Sequence, residues 1–269
     1  MIIIGEKING AIPSVAQAIK DRDASYIASL AKAQDEAGAD YIDVCAGTAP
    51  DEEYDALCWL LEVVQEATSK PICLDSPDPN MLVKTMDKVQ NPGILNSLSA
   101  EHSKCDILIP ALVNYPEWSV MALCSGNEGV SATAGQKMKV GQIIMEQVEA
   151  AGISHERIFM DPLVLSASAV EGSAAEFFDV IPMIHQTWPG VKVAAAISNV
   201  SFGSPARGLM NHVYLAICLD RGLDAAIVDP LNRDVIGTIY TTNLLEGNDP
   251  HSRQYNKAFR KGLIGPVKK

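Results

Sequence analysis

The chain has 269 residues, of which 48% are hydrophobic and 20% charged, as expected for one globular domain with a large buried core. The formal net charge of -12 argues against nucleic-acid binding, which needs lysines and arginines clustered on one face. No stretch approaches the roughly 18 uninterrupted apolar residues of a membrane span, and the start MIIIG does not read as a signal peptide. We therefore expect a soluble protein with a single domain over residues 1–269.

The cysteines and histidines do not form metal or disulfide patterns. Six cysteines are scattered along the chain without a C-x-x-C pair, and the five histidines are isolated. Reduced cysteines are typical of a cytoplasmic protein, and we expect no metal bound by this chain.

Short β-rich runs alternate with longer amphipathic segments, which is typical of a parallel sheet wrapped in helices. The first four units are residues 2–6 with a helical segment from about Ser14 to Ala37, YIDVCAG with DEEYDALCWLLEVVQEATS, PICLDS with NMLVKTMDKV, and GILNSL with AEHSKCDILIPALV. The last four are SVMALC with GQKMKVGQIIMEQVEAAG, RIFMDPLV with AAEFFDVIPMIHQTW, VKVAAAISNV with LMNHVYLAICLDRG, and AAIVDPL with VIGTIYTTNLLE. A polar tail from about Glu246 is a mobile end or a strap.

Eight strand–helix units predict an α/β fold of the (β/α)8 TIM-barrel class. A doubly wound open sheet would usually have fewer strands and a G-x-G-x-x-G loop after the first strand, and the chain has no such loop.

Several of the predicted strands end in a lone acid or amide: Glu6, Asp43, Asp75, Asn96, Asp161 and Asn199. In a parallel barrel, polar groups at the carboxyl ends of the strands meet at one mouth, where the active site lies. Carboxylates and amides without a cluster of bases suit a flat heterocycle rich in N–H donors and carbonyl acceptors.

Each of these residues also has a structural interpretation that the sequence leaves open. Asp75 and Asp161 could cap the helix that follows them, since Asp is favoured at that position. Asn96 could form an Asx turn, and Asn199 could be a turn former after the seventh strand.

Six motifs in register resemble the pterin-binding methyltransferases: GEKING, CLDS, ILNS, MDPL, ISNVSFGSPARGLMNH and GLDAAIVDP. These enzymes act with methyltetrahydrofolate and a corrinoid protein, and share a barrel with dihydropteroate synthase and the folate module of methionine synthase. The resemblance runs from Met1 to about Asp229. It implies an enzyme that moves a methyl group between N5 of tetrahydrofolate and the cobalt of a separate corrinoid protein.

The same resemblance assigns roles to individual residues. It places Asn199 near N5, where it would stabilise the activated amine mainly in the transition state. It implies pterin contacts for Asp75, Asn96 and Asp161. It places Arg207 near the pterin or its glutamate tail, although a solvated surface arginine is an equal alternative, and Ser198 is a further candidate for substrate binding. Glu6, Asn9 and Asp43 line the first two strand ends, where they could bind substrate, shape the mouth or bond to one another.

Partners also follow from the resemblance. The chain lacks the D-x-H-x-x-G motif of base-off cobalamin binding, so the corrinoid would arrive on another protein docked over the mouth. Related enzymes are homodimers, and we carry that expectation over. Phe202 and Gly203 stand where relatives that use an iron–sulfur corrinoid protein have amide side chains. This departure leaves the partner and the direction of transfer open, with a lean towards methylation of tetrahydrofolate over demethylation of methyltetrahydrofolate.

Two other functions fit the same barrel. Dihydropteroate synthase would need an N-x-T-P-D-S-F loop, an S-R-K segment and a late R-x-H, and none of these motifs is present. A folate-binding barrel without turnover is the non-enzymatic alternative, since a fold alone does not establish activity.

Overall fold

The computed structural model describes residues 1–266. Within them lie the strands β1 (Ile2–Asn9), β2 (Tyr41–Cys45), β3 (Ile72–Asp75), β4 (Ile94–Ala100), β5 (Ser119–Gly126), β6 (Gly129–Val130), β7 (Ile158–Asp161), β8 (Lys192–Ala196) and β9 (Ala225–Val228). All except β6 pair in parallel with their neighbours in chain order, and β9 pairs with β1. The strands therefore close into an eight-stranded parallel barrel, and the predicted TIM-barrel fold is confirmed.

These strands form because their residues suit burial on both faces. Ile42, Asp43 and Val44 of β2 are all buried, as are all four residues of β7. Parallel strands that are covered on the outside by helices and packed on the inside read as short, nearly continuous apolar runs. This is the pattern that made each strand visible in the sequence.

The helices surround the barrel. They are α1 (Pro13–Asp21), α2 (Ala24–Glu36), α3 (Pro50–Ala67), α4 (Pro79–Thr85), α5 (Lys104–Asn114), α6 (Ala134–Ala150), α7 (Ser173–Thr187), α8 (Arg207–Asp220), α9 (Arg233–Leu245) and α10 (Arg253–Arg260). Short 3-10 turns lie at Met86–Lys88, His155–Arg157, Ile197–Ser201 and Pro250–Ser252. None of the helices within residues 1–266 has the length and apolar character needed to cross a bilayer.

The helical segment predicted from Ser14 to Ala37 is two helices. Arg22 ends α1 in the left-handed region, with φ of 54°. Asp23 then begins α2, because its side chain accepts a hydrogen bond from the backbone N–H of Tyr26 at 3.0 Å. Asp is among the strongest N-cap residues, so this break has a local cause.

Two other boundaries differ from the prediction. The helix predicted from AEHSK begins later, at Lys104, because β4 continues to Ala100. The polar tail, as far as Pro266, is a strap rather than a free end, and its last three residues lie outside the described part of the chain. Arg233 donates to the carbonyls of Gly265 at 3.1 Å and Ile264 at 3.1 Å, which ties the segment after α10 to α9.

An apolar layer seals the inside of the barrel. Seven interior side chains from seven different strands are at most 1% exposed: Ile4, Cys73, Ile94, Met121, Phe159, Ala194 and Ala225. Side chains of a strand alternate between its two faces, so the next inward residue lies two positions further along. This layer is the floor on which the functional site is built.

Candidate active site at the barrel mouth

The polar layer of the mouth follows directly from this alternation. Two residues beyond the floor residues Ile4, Cys73, Ile94 and Phe159 lie Glu6, Asp75, Asn96 and Asp161. Strand pairing also sets Cys45 beside Asp75, and Asp75 beside Asn96. The barrel therefore brings together, on one level, side chains that lie far apart in sequence.

A cavity of about 460 Å³ opens above the floor. Its size lies within the roughly 300–1,000 Å³ of typical small-molecule sites. It is lined by Glu6, Lys7, Asn9, Ala11, Ile12, Asp43, Asp75, Asn96, Ala196, Ser198, Asn199 and Ile227. Seven of the nine residues predicted from the sequence thus share one cavity.

The other two predicted residues lie outside this lining. Asp161 is 3% exposed at the end of β7. Arg207 lies at the start of α8, where its guanidinium donates to Ser198 O at 2.9 Å and to Ser201 Oγ at 3.0 Å.

The helix-cap interpretation of the two aspartates is wrong. Asp78 caps α4, accepting a hydrogen bond from the Asn80 N–H at 2.9 Å, and Gly172 precedes α7. Asn96 lies within β4, which rules out an Asx turn leading into a helix. Asp75 and Asn96 are therefore free to face the cavity.

The carboxyl groups of buried Asp43 and half-buried Asp75 form a pair. Burial, and then the charge of Asp75, raise the pKa of Asp43 well above its usual range, while bonds from Cys73 and Asn96 oppose the rise. Burial also raises the pKa of Asp75 to about 6. Within residues 1–266, Asp43 Oδ1 has no hydrogen-bond partner. A buried polar atom without a partner is costly, so this oxygen is prepared to bind a ligand.

Glu6 and Lys7 give the first strand end a mixed charge. Burial, and then the charge of Asp229, raise the pKa of Glu6 to about 7, which Lys7 and Arg207 oppose. The Lys7 ammonium donates to Asp229 Oδ2 at 3.0 Å. Sequence reasoning missed Lys7, because its partner lies 222 residues away.

Asp161 is held by its own turn. Its Oδ1 accepts the N–H of Leu163 at 2.7 Å. Burial raises its pKa to about 6, and this turn hydrogen bond and Lys137 oppose the rise. Lys137 is a second residue that sequence reasoning missed. Its spacing from Gly141 and Met145, which are buried on α6, was the available signal.

Asn199 is exposed to solvent on the 3-10 turn after β8, within reach of a ligand in the cavity. The two hydrogen bonds of Arg207 hold this turn, so Asn199 stands on a braced segment. The turn ends at Ser201, and the next residue, Phe202, is 71% exposed. Ser166 Oγ and Ser168 Oγ both donate to the Phe202 carbonyl, at 2.6 and 2.9 Å.

The chemistry of this arrangement is hydrogen-bonding recognition. An ionised carboxylate accepts N–H donors, a protonated one donates to a carbonyl, and an amide does both. The site thus matches the edge of a flat ring that displays donors and acceptors together. Among residues 1–266, no group of three or more His, Cys, Asp or Glu side chains is arranged to hold a metal ion.

Other cavities of comparable size lie elsewhere. One of about 690 Å³ runs between α1 and α3, and one of about 500 Å³ is lined by Met1, Asp40 and Asn243 among others. The mouth remains the candidate, because TIM-barrel sites lie at the carboxyl ends of the strands.

The chain is similar to known proteins in sequence and in fold. A family model described as a pterin binding enzyme matches residues 6–229. A methylcorrinoid:tetrahydrofolate methyltransferase from Eubacterium limosum is 42% identical over 268 residues, covering 99% of this chain and 99% of that protein. A methionine synthase from Mycobacterium tuberculosis is 26% identical over 250 residues, which are 87% of this chain and 21% of that enzyme. A solved dihydropteroate synthase from Xanthomonas albilineans shares the fold, with a TM-score of 0.68 at 15% identity over 93% of each chain.

Proposed function

The chain belongs to the pterin-binding enzyme family, and we infer that it is a methyltransferase acting between N5 of tetrahydrofolate and the cobalt of a separate corrinoid protein. The full-length relative at 42% identity carries that activity in its name. The resemblance noted in the sequence is thereby confirmed at the level of family and enzyme.

The observation that carries the site assignment is the polar layer above a sealed apolar floor. Asp75, Asn96 and Asn199 line one cavity, and the floor beneath it is at most 1% exposed. We propose that the Asp75 carboxylate accepts hydrogen bonds from the 2-amino group of the pterin and from the adjacent ring N–H. Hydrogen bonds to a charged acceptor are stronger than neutral ones, which suits a small polar ring. Asn96 would pair with the neighbouring edge, and Asp161 would hold the ring from the β7 side.

We propose that the methyl group moves from the corrinoid to tetrahydrofolate, the direction in the name of the relative from E. limosum. The N5 lone pair attacks the methyl carbon, the cobalt–carbon bond breaks with its electron pair left on cobalt, and N5 loses its proton. That proton goes to solvent or to a carboxylate of the mouth.

Asn199 is the proposed catalytic residue. An amide cannot act as a general acid or base at neutral pH. Asn199 therefore contributes a hydrogen bond at N5 that strengthens as the bond between N5 and the methyl carbon forms. Such an interaction lowers the barrier because it is made mainly in the transition state. Arg207 would serve by bracing the turn, and Ser198, Glu6, Asn9 and Asp43 would complete the lining.

The corrinoid would be supplied by a partner protein docked over the mouth, where Phe202 is exposed. We further propose that the enzyme is a cytoplasmic homodimer that binds no metal, nucleic acid or membrane. The six free thiols agree with a reducing compartment.

Neither alternative function is favoured. The likeness to dihydropteroate synthase is one of fold at 15% identity, whereas the methyltransferase matches over the full length. A barrel without turnover would not need Arg207 to brace the turn that carries Asn199, through its bonds to Ser198 O and Ser201 Oγ.

The test is methyl transfer from methylcob(III)alamin to tetrahydrofolate under anaerobic conditions. The reaction is monitored through the absorbance of the cob(I)alamin that it forms. We expect cob(I)alamin to appear only when enzyme and tetrahydrofolate are both present. No cob(I)alamin in this direction, and no loss of it when 5-methyltetrahydrofolate is supplied in reverse, would refute the assignment. Formation of dihydropteroate from pterin pyrophosphate and p-aminobenzoate would instead support the synthase.

A further inference from the structure

Lys137 is a buried lysine that the proposed reaction does not use. It lies in the first turn of α6 and is 1% exposed. Lysine is almost never fully buried unless its ammonium is compensated, because burial disfavours the charged form. Burial accordingly lowers the pKa of Lys137, and the charges of Asp161, Cys124 and Glu176 oppose that shift. Such a costly placement calls for a reason.

The ammonium group binds the turn that follows β7. Lys137 Nζ donates to the carbonyl oxygens of Pro162 and of Leu163, the latter at 2.6 Å. Leu163 has φ of 59°, a left-handed conformation that a branched residue rarely adopts. The two carbonyl contacts therefore stabilise this turn in an unfavourable backbone conformation.

That turn in turn holds Asp161. The N–H of Leu163 donates to Asp161 Oδ1 at 2.7 Å, and Asp161 is the last residue of β7. The contacts thus run without a gap from the Lys137 ammonium, through two backbone carbonyls, to the carboxylate. A shift of the ammonium would move the N–H that orients this carboxylate.

Helix α6 is fixed around the lysine. The Ala134 N–H at its first turn donates to Glu176 Oε2 of α7 at 2.6 Å. A Cβ on Gly141 would come within 3.0 Å of Met160 Sδ and 3.1 Å of the Trp188 ring, so glycine lets α6 lie close against β7. The ammonium therefore reaches the turn from a rigid base.

We propose that Lys137 is a positioning residue for folate binding, which acts through the Pro162–Leu163 turn to aim the Asp161 carboxylate and keep it ionised. The proposal rests on the proposed function, in which Asp161 contacts the pterin. Other titratable groups around the pair are Cys124 on β5, Glu176 on α7 and Tyr214 on α8.

The test is a double-mutant cycle of tetrahydrofolate binding, measured by calorimetry under anaerobic conditions from pH 5.5 to 8.5. The variants are Lys137→Met, Asp161→Asn, the double variant, and Lys139→Met, an exposed lysine on the same helix, as control. We expect Lys137→Met and Asp161→Asn each to weaken binding about tenfold or more, because each removes the oriented charge. The double variant should bind within about twofold of Asp161→Asn, because both changes remove one interaction.

The pH profile separates positioning from simple support of the fold. Without the cation, the pH at which folate binding is half-maximal should rise by about one unit in Lys137→Met, since a nearby opposite charge favours the ionised carboxylate. Lys139→Met should bind with the affinity and pH profile of the native chain. Lys137→Gln keeps a donor for the two carbonyls without the charge, and it carries the same test where Lys137→Met does not fold.

The outcomes distinguish the two levels of the argument. If Asp161→Asn binds tetrahydrofolate with the affinity of the native chain, Asp161 does not contact the pterin. That result would overturn the proposed contact between Asp161 and the pterin as well as the role of Lys137. A different result would overturn the role of Lys137 alone. In that result, Asp161→Asn weakens binding, the losses in binding free energy add in the double variant, and the pH profile of the Lys137 variants is unchanged.

Discussion

Replacing Asp75 with asparagine should weaken folate binding and at the same time stabilise the free protein. The variant removes the charge that the pterin N–H groups would meet and keeps the side-chain shape. Hydrogen bonds to charged groups contribute about 1.5–3 kcal/mol and neutral ones about 0.5–1.5 kcal/mol. Two such bonds give a loss of about 2 to 3 kcal/mol, which is about 30- to 150-fold in Kd.

The effect on stability has the opposite sign. The pKa of Asp75 rises from 3.8 to about 6 in the folded chain, chiefly because of burial. A carboxyl whose pKa is raised on folding stabilises the protein below its unfolded pKa, and that contribution is lost as the pH rises through about 6. A shift of about two units corresponds to about 3 kcal/mol, and the lost bond from Cys45 offsets part of it. We expect Asp75→Asn to be about 1 to 3 kcal/mol more stable than the native chain at pH 7.5 and to differ little at pH 4.

Calorimetry with tetrahydrofolate measures the first effect, and urea denaturation at several pH values measures the second. Asp179→Asn on the exposed face of α7 is the matched control and should change neither quantity. Binding within twofold of the native chain, together with no gain in stability between pH 5 and 8, would refute the reasoning for both the contact and the buried charge.

Three further outcomes follow from the same geometry. Asn199→Ala should slow methyl transfer by about 100- to 1,000-fold with little change in the Kd of tetrahydrofolate, as single-turnover absorbance would measure, because its hydrogen bond is made in the transition state; an equal loss in binding would contradict that role. The ligand-free protein should be more stable to urea at pH 5 than at pH 8, since the pKa values of Glu6, Asp75 and Asp161 are all raised by burial, and a midpoint that rises towards pH 8 would count against this. Arg207→Met should reduce the rate of methyl transfer about tenfold, because it loses the hydrogen bonds to Ser198 and Ser201. Arg253→Met, on the exposed face of α10, is the control and should leave the rate unchanged. Equal rates in the two variants would exclude the bracing role of Arg207.

The barrel and much of its mouth could be predicted because both depend on short-range patterns. Buried strands appear as apolar runs, and two-residue alternation places Glu6, Asp75 and Asn96 one step above the floor residues Ile4, Cys73 and Ile94. The sequence pattern therefore located these three lining residues without knowledge of any contact.

The features that escaped prediction depend on long-range pairs or on single backbone conformations. Lys7 is held at the mouth by its hydrogen bond to Asp229, which lies 222 residues further along the chain. The break after α1 depends on the left-handed Arg22, although the residues on both sides favour a helix. In the sequence, Lys137 does not differ from any other lysine in a helix, because its role depends on hydrogen bonds to the carbonyls of Pro162 and Leu163. Burial of Asp161 outside the cavity lining likewise follows from packing and not from the strand pattern.

A crystal structure of the protein with tetrahydrofolate tests the central claim most directly. We predict the pterin ring in the mouth cavity, with its 2-amino group and ring N–H on Asp75, its neighbouring edge on Asn96, and N5 beside Asn199. A folate ordered elsewhere, such as in the groove between α1 and α3, with the mouth left to solvent, would contradict the account.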